Sequence, residues 1–209
     1  MEILLLSPYN PALPLETVPR VLAAQALDID PQLPGPLKAA CAALAHMAAG
    51  PKPPLFVTAN PLHPTIAAAQ PAQVLDARSQ QEQARWVMER ALTIGQWERS
   101  MDPASLLAYL EEETEEFAQA VNAWHHDPTP AAERQMRAEL ADVYLQILFH
   151  AQLAARRGSW DIEDVAADFV AKMRSRAPYI FRPGAEIVPV EEQERLWQEG
   201  KRKQSGPVL

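Results

Sequence analysis

The sequence predicts a mainly α-helical protein, an all-helical bundle preceded by a small proline-rich α/β module, and three observations predict it. From Gln80 onward, apolar residues recur at steps of three and four, the period of helices that bury one face. Of the 20 prolines, 13 fall within residues 1–80, so that stretch differs in kind from the remainder of the chain. Within it, short apolar runs at 3–6, 55–58 and 73–75 read as buried strands. The expected organisation is an α/β module over 1–80, a helical domain over 81–203 and a mobile tail over 204–209.

The chain has 209 residues, enough for a buried core in one or two small domains. Its formal charge of −8 argues against nucleic-acid binding by bulk electrostatics. The acidity belongs to the helical part: residues 1–80 hold five acids and four bases, and the remainder holds 22 acids and 15 bases. The single cysteine, Cys41, allows no internal disulfide and fits a reducing cytoplasm. Met1-Glu2-Ile3-Leu4-Leu5-Leu6 is too short to span a membrane and has no basic flank to make it a signal peptide, so no membrane association is expected.

Within the first module, residues 37–49 read as an alanine-rich helix and residues 65–69 as a helical turn. Its two glycines, Gly35 and Gly50, belong to no G-x-G-x-x-G or Walker pattern, so no phosphate-cradling loop is expected there. The module reads as support or as a dimerisation element. Residues 80–94 form a connecting helix with Trp86, Val87, Ala91 and Leu92 on its apolar side, ended by Gly95.

The next helix carries the chemistry. Leu106, Leu110, Phe117 and Val121 make a helical stripe only if Glu113 fills the position between Leu110 and Phe117. Burying an ionised carboxylate without a partner costs several kcal/mol or more, so an acid there calls for a cation or another compensating partner. Glu116 stands three residues later, with Cβ atoms about 5–6 Å apart on a helix, so the two can share one ion.

Residues 134–152 predict a further helix with Met136, Leu140, Val143, Ile147 and Ala151 as its apolar stripe. Glu139 and Asp142, again three apart, lie on the edge of that stripe. Asp127-Pro128-Thr129-Pro130 between the helices cannot continue either, and supplies the turn that sets the two acidic edges face to face. Four oxygen donors without sulfur or imidazole suit a hard divalent ion, Mg²⁺ or Mn²⁺, rather than zinc or copper.

Glu112-Glu113-Thr114-Glu115-Glu116 followed by Glu139-Leu140-Ala141-Asp142 resembles the EExxE…ExxD signature of the MazG family of all-α nucleoside triphosphate pyrophosphohydrolases. Segments in the order expected for that family extend the likeness over residues 97–201. They are Tyr109-Leu110, Leu145-Gln146-Ile147-Leu148-Phe149-His150-Ala151, Asp164-Val165-Ala166, Lys172-Met173-Arg174-Ser175-Arg176-Ala177-Pro178, and Trp197 with Lys201. Asn60-Pro61-Leu62-His63-Pro64 is similar to a segment of the N-terminal extension in the actinobacterial branch.

The resemblance implies Mg²⁺-dependent hydrolysis of a nucleoside triphosphate to the monophosphate and pyrophosphate, as nucleotide-pool clean-up, by a homodimer. Glu113, Glu116, Glu139 and Asp142 would hold the metal, and Glu112 matches a further family glutamate that binds a second ion or accepts the water's proton. Glu111 and Glu115 fit no motif position and read as solvated surface. Lys172 and Arg176 match phosphate-binding positions, and Trp197 and Lys201 resemble nucleotide contacts in a W-x-x-x-K pattern. Where the family has Cys-Pro-Trp-Asp and then Gln-Thr-His, this chain has Gly95-Gln96-Trp97-Glu98 and Met101-Asp102-Pro103. Only Trp97 is kept, as an aromatic plane for a base, and preference for base and sugar is left open.

Other readings fit less well. A di-iron carboxylate bundle needs two Glu-x-x-His motifs, which are missing here, and an EF-hand needs a D-x-D-x-D-G loop. A non-enzymatic helical interaction protein with an acidic face is the remaining alternative. His125 and His126 read as loop, and His150 as a hydrogen-bonded helix residue.

Overall fold

The computed structural model describes residues 1–184 and 187–204; of the expected tail, all but Gln204 lies outside the described residues. The chain forms two compact units, Met1–Val87 and Met88–Leu209.

The first unit contains β1 (Glu2–Leu5), α1 (Val18–Ala23), β2 (Leu27–Ile29), α2 (Gly35–Ala45), β3 (Leu55–Thr58), α3 (Pro64–Ala67) and β4 (Val74–Asp76). The strands form one sheet in the order β2-β3-β1-β4, parallel throughout, with Leu4 opposite both Val57 and Leu75. A parallel sheet covered on both faces wants unbroken apolar runs, and all four residues of β3 are buried. Leu4, Leu6, Val21, Leu37, Cys41, Leu55 and Val57 make the core. Prolines stand in the first turns of α1, α2 and α3, where the missing N–H removes no helical bond. At Gly50 a Cβ would overlap the Ala23 carbonyl group, so the two segments pass only because that side chain is absent.

One buried carboxyl anchors the strand ends. Asp30 is 2% exposed, accepts hydrogen bonds from the Thr58 hydroxyl (2.5 Å) and the Gln32 amide (2.8 Å), and is held below the usual carboxylate range. Burial alone pushes it upward; those two donors, with His63 and Lys38, outweigh it.

Neither α1 nor β2 was expected from sequence. β2 is three residues long with a charged residue at its centre, so its pairing with β3 and not a local pattern makes it a strand. α1, at six residues, is too short to form without packing.

The helical part comprises α4 (Gln80–Ile94), α5 (Gln96–Ser100), α6 (Leu107–His126), α7 (Pro130–Arg156), α8 (Ile162–Arg176), a 3-10 turn (Pro178–Phe181) and α9 (Val190–Gln204). α4 buries Met88 and Leu92 and leaves Val87, expected on its apolar side, 58% exposed. Thr129 caps α7 by accepting from the Ala132 amide, with Pro130 at the first helical position. α6 and α7 thus form a tight hairpin, the main helix pair of this unit. Asp161 caps α8 in a box closed by Asp164, and α8 packs on α7, the 3-10 turn and α9. No helix among the described residues is long and apolar enough to cross a membrane.

Candidate active site

Along α6, Leu110, Glu113, Phe117 and Val121 are half-buried and Ala120 is buried, so Glu113 does occupy the inward stripe. Glu111, Glu112, Glu115 and Glu116 are exposed. α7 is turned differently from expectation. Glu139, Asp142 and Val143 are half-buried and Gln146 is buried, whereas Leu140 and Ile147 are 50% and 42% exposed. The acids are not at the edge of the covered face; they are part of it.

Antiparallel pairing of the two helices brings carboxylate oxygens of Glu113, Glu116 and Glu139 within 4.8 Å of one another. Burial, then Asp142, Glu116, Glu112 and Glu139, push the Glu113 carboxyl above its ordinary range. Glu116 is raised by burial, then by the neighbouring acids Glu139, Glu112 and Asp142. Asp142 thus stands outside the tightest triad but within its field. Gln135 donates a hydrogen bond to Glu139, tying that carboxylate to its own helix, while the Thr114 hydroxyl bonds back to the Leu110 carbonyl. An all-oxygen set of converging like charges fits a hard divalent cation, which replaces mutual repulsion by shared attraction.

One helical turn before Glu113, Tyr109 meets the Trp97 ring edge-on at 5.6 Å, and Phe149 of α7 meets the same ring at 5.9 Å. Trp97 is nevertheless 47% exposed. Arg156 donates to the Leu92 carbonyl at 2.5 Å, fixing the end of α4 just ahead of Trp97. Sequence reasoning gave Tyr109 no part in this wall; its signal was the four-residue step to Glu113.

The cationic residues gather on α8 and α9. Lys172 is exposed on α8, one turn from half-buried Arg176, whose guanidinium carbon lies 5.4 Å from the centroid of the Trp197 ring. Lys201 is exposed one turn beyond Trp197. The structure brings Arg176 and Trp197 together, and it brings the carboxylates together. On α7 the Gln146 Oε1 and His150 Nε2 atoms are buried without a hydrogen-bond partner among the described residues.

Residues 101–181 match the MazG nucleotide pyrophosphohydrolase domain. This stretch is a MazG domain. The match contains the carboxylates, Lys172 and Arg176; Trp97, Trp197 and Lys201 fall outside its limits. The chain is 31% identical over 211 residues to a nucleoside triphosphate pyrophosphohydrolase of Mycobacterium tuberculosis, covering 96% of this chain and 62% of that protein. A Mycolicibacterium smegmatis protein of the same name is 33% identical over 160 residues, covering 72% of this chain and 47% of that one. The chain thus spans less than two thirds of these curated relatives. The solved structure of a MazG-related protein from Thermotoga maritima aligns at 28% identity and a TM-score of 0.49, covering 58% of this chain and 98% of that one.

Proposed function

We propose that the protein hydrolyses nucleoside triphosphates between the α and β phosphates, releasing nucleoside monophosphate and pyrophosphate. The observation that carries this reading is the convergence of Glu113, Glu116 and Glu139 within 4.8 Å inside a MazG domain.

Glu113, Glu116, Glu139 and Asp142 would hold Mg²⁺, or Mn²⁺, with Glu112 beside them for a second ion or the proton of the attacking water. When bound, the metal supplies charge neutralisation at the phosphates and a water acidic enough to attack at neutral pH. The protein's own part is positional. The α6–α7 hairpin fixes the carboxylates before substrate arrives, so little reorganisation opposes the reaction. A triphosphate brings about four negative charges of its own, and Lys172, Arg176 and Lys201 would meet the part that the metal leaves uncovered. Trp97 and Trp197 offer aromatic faces to the base.

Canonical and oxidised nucleotides are both admissible substrates, in keeping with a cytoplasmic role in clearing nucleotide pools. Exposed Leu140 and Ile147 on α7, and exposed Phe169 on α8, favour a homodimer that covers them. Sedimentation equilibrium reads that directly, and a monomer at micromolar concentration would refute it. The α/β module, 1–80, is read as support for the helical domain, 81–203.

The deciding experiment is incubation with Mg²⁺ and a panel of canonical and oxidised NTPs and dNTPs, with products resolved chromatographically. Monophosphate and pyrophosphate are expected in equal amounts; diphosphate with orthophosphate, or no turnover of any substrate, overturns the reading.

A further inference from the structure

We propose that Gly200 is a positioning residue for the substrate-binding end of this site: it lets α9 lie backbone to backbone on α8, and so holds Trp197 against Arg176. The inference rests on the reading of Arg176, Trp197 and Lys201 as substrate-binding residues.

A Cβ on Gly200 would stand 2.6 Å from the Ser175 carbonyl oxygen, 2.7 Å from the Arg176 Cα and 2.9 Å from the Ser175 carbonyl carbon. All three are backbone atoms of the last turn of α8, so no side chain can swing aside and the helices themselves must part. Gly200 is buried, and it is not among the described glycines with positive φ, which are Gly158 and Gly184. Close approach, and not backbone conformation, is therefore what its missing side chain serves. Glycine inside a helix costs about 0.5–1 kcal/mol relative to alanine, and α9 accepts that cost in the middle of its W-x-x-x-K segment.

The geometry leaves little slack. Nonbonded carbons settle at about 3.5–4.0 Å, so a methyl group at this position drives α9 back by roughly 1 Å. Arg176 now sits 5.4 Å from the Trp197 centroid. Attraction between a guanidinium and an aromatic face fades beyond about 6 Å. One methyl group is enough to uncouple the pair and to carry Lys201, the next residue, with it.

The test compares wild type with Gly200→Ala in steady-state pyrophosphate release from an NTP. KM rises by about tenfold or more, the scale of a lost cation–aromatic contact with its neighbouring charge, while kcat and the Mg²⁺ dependence stay within about twofold. In a Trp197→Ala background, adding Gly200→Ala raises KM by clearly less than it does alone, because the Arg176–Trp197 contact is already gone and only the shift of Lys201 remains. An unchanged KM in the single variant, or penalties that add in the double variant, overturns the proposal; a merely structural glycine gives the additive result. Should Gly200→Ala not fold, a crystal structure of wild type with an α,β-methylene NTP analogue decides. α9 seated on Ser175 and Arg176, with Arg176 and Lys201 on the phosphates, supports the inference, and α9 displaced from α8 overturns it. Wild type without turnover on any NTP takes down both the hydrolase reading and this one, whereas turnover with an indifferent Gly200→Ala removes this one alone.

Discussion

Glu116 and Glu139 face each other across the α6–α7 hairpin with carboxylate oxygens within 4.8 Å, and burial, followed by the charges of Glu139 and Glu112, raises the Glu116 carboxyl above its ordinary range. Two groups that are each anionic at neutral pH repel at that distance, and a proton or a cation between them relieves the repulsion. The hairpin is thus assembled against its own electrostatics, and its stability is linked to what the cluster binds.

The sign of that linkage is set by Glu113, whose carboxyl is raised by burial and by four neighbouring acids. A raised carboxyl binds more protons folded than unfolded, so its contribution falls as pH rises through the window from the unfolded value up to the folded one. Above that window the metal-free protein carries the full penalty. Glu113→Gln removes it and raises the Tm of metal-free protein at neutral pH, whereas Mg²⁺ raises the Tm of wild type and not of the variant. Thermal unfolding in chelator and in Mg²⁺ measures both; a variant less stable than wild type in chelator would contradict the repulsion argument.

Glu139→Ala removes one corner of the triad and the acceptor for Gln135. Pyrophosphate release drops by at least about a hundredfold, since a catalytic metal supplies several kcal/mol of transition-state stabilisation. Far-UV circular dichroism is unchanged, because α7 keeps its caps and an alanine favours the helix. Retained turnover would remove Glu139 from the metal assignment.

Lys172→Ala lies on exposed helix surface and leaves the fold intact. A hydrogen bond between charged groups is worth about 1.5–3 kcal/mol, which is roughly a 10- to 100-fold rise in KM. Initial rates over a range of NTP concentrations show it, and an unaltered KM counts against a phosphate contact.

Thr58→Val in the α/β unit takes the hydroxyl from Asp30 and the acceptor from the Asn60 amide. Leaving a buried carboxyl short of a donor costs about 1–3 kcal/mol. Asp30 is a depressed carboxyl, so it stabilises the fold above its unfolded value and that stability is lost as pH falls through the folded one. The variant therefore unfolds at lower temperature at neutral pH, and the difference narrows in acid. Its kcat for NTP hydrolysis matches wild type; a large loss of turnover would give this unit a part in the chemistry.

Much of the site is readable along single helices. Three-residue spacing alone puts Glu113 beside Glu116 and Glu139 beside Asp142, and Asp127-Pro128-Thr129-Pro130 forces the reversal that faces one pair with the other. Glu113 in the stripe of α6 was legible for the same reason: the apolar pattern has one gap, and an acid fills it. β3 was legible because burial on both faces leaves an unbroken run, Leu55-Phe56-Val57-Thr58.

Rotation about the axis of α7 was not legible. That helix is apolar on more than one side, and its period fixes which residues share a face without saying which face meets α6. The tertiary structure turns Glu139, Asp142 and Gln146 inward and leaves Leu140 and Ile147 outside, with Leu148, Phe149, Ala151 and Ala154 taking the buried apolar positions of α7. β2 likewise exists through its pairing with β3, and the contact of Gly200 with Ser175 and Arg176 joins helices that their sequences describe separately. Local periodicity determined the helices, the two acidic pairs and the turn between them. Contact between elements, where sterics and charge act across the chain, decided which faces close together.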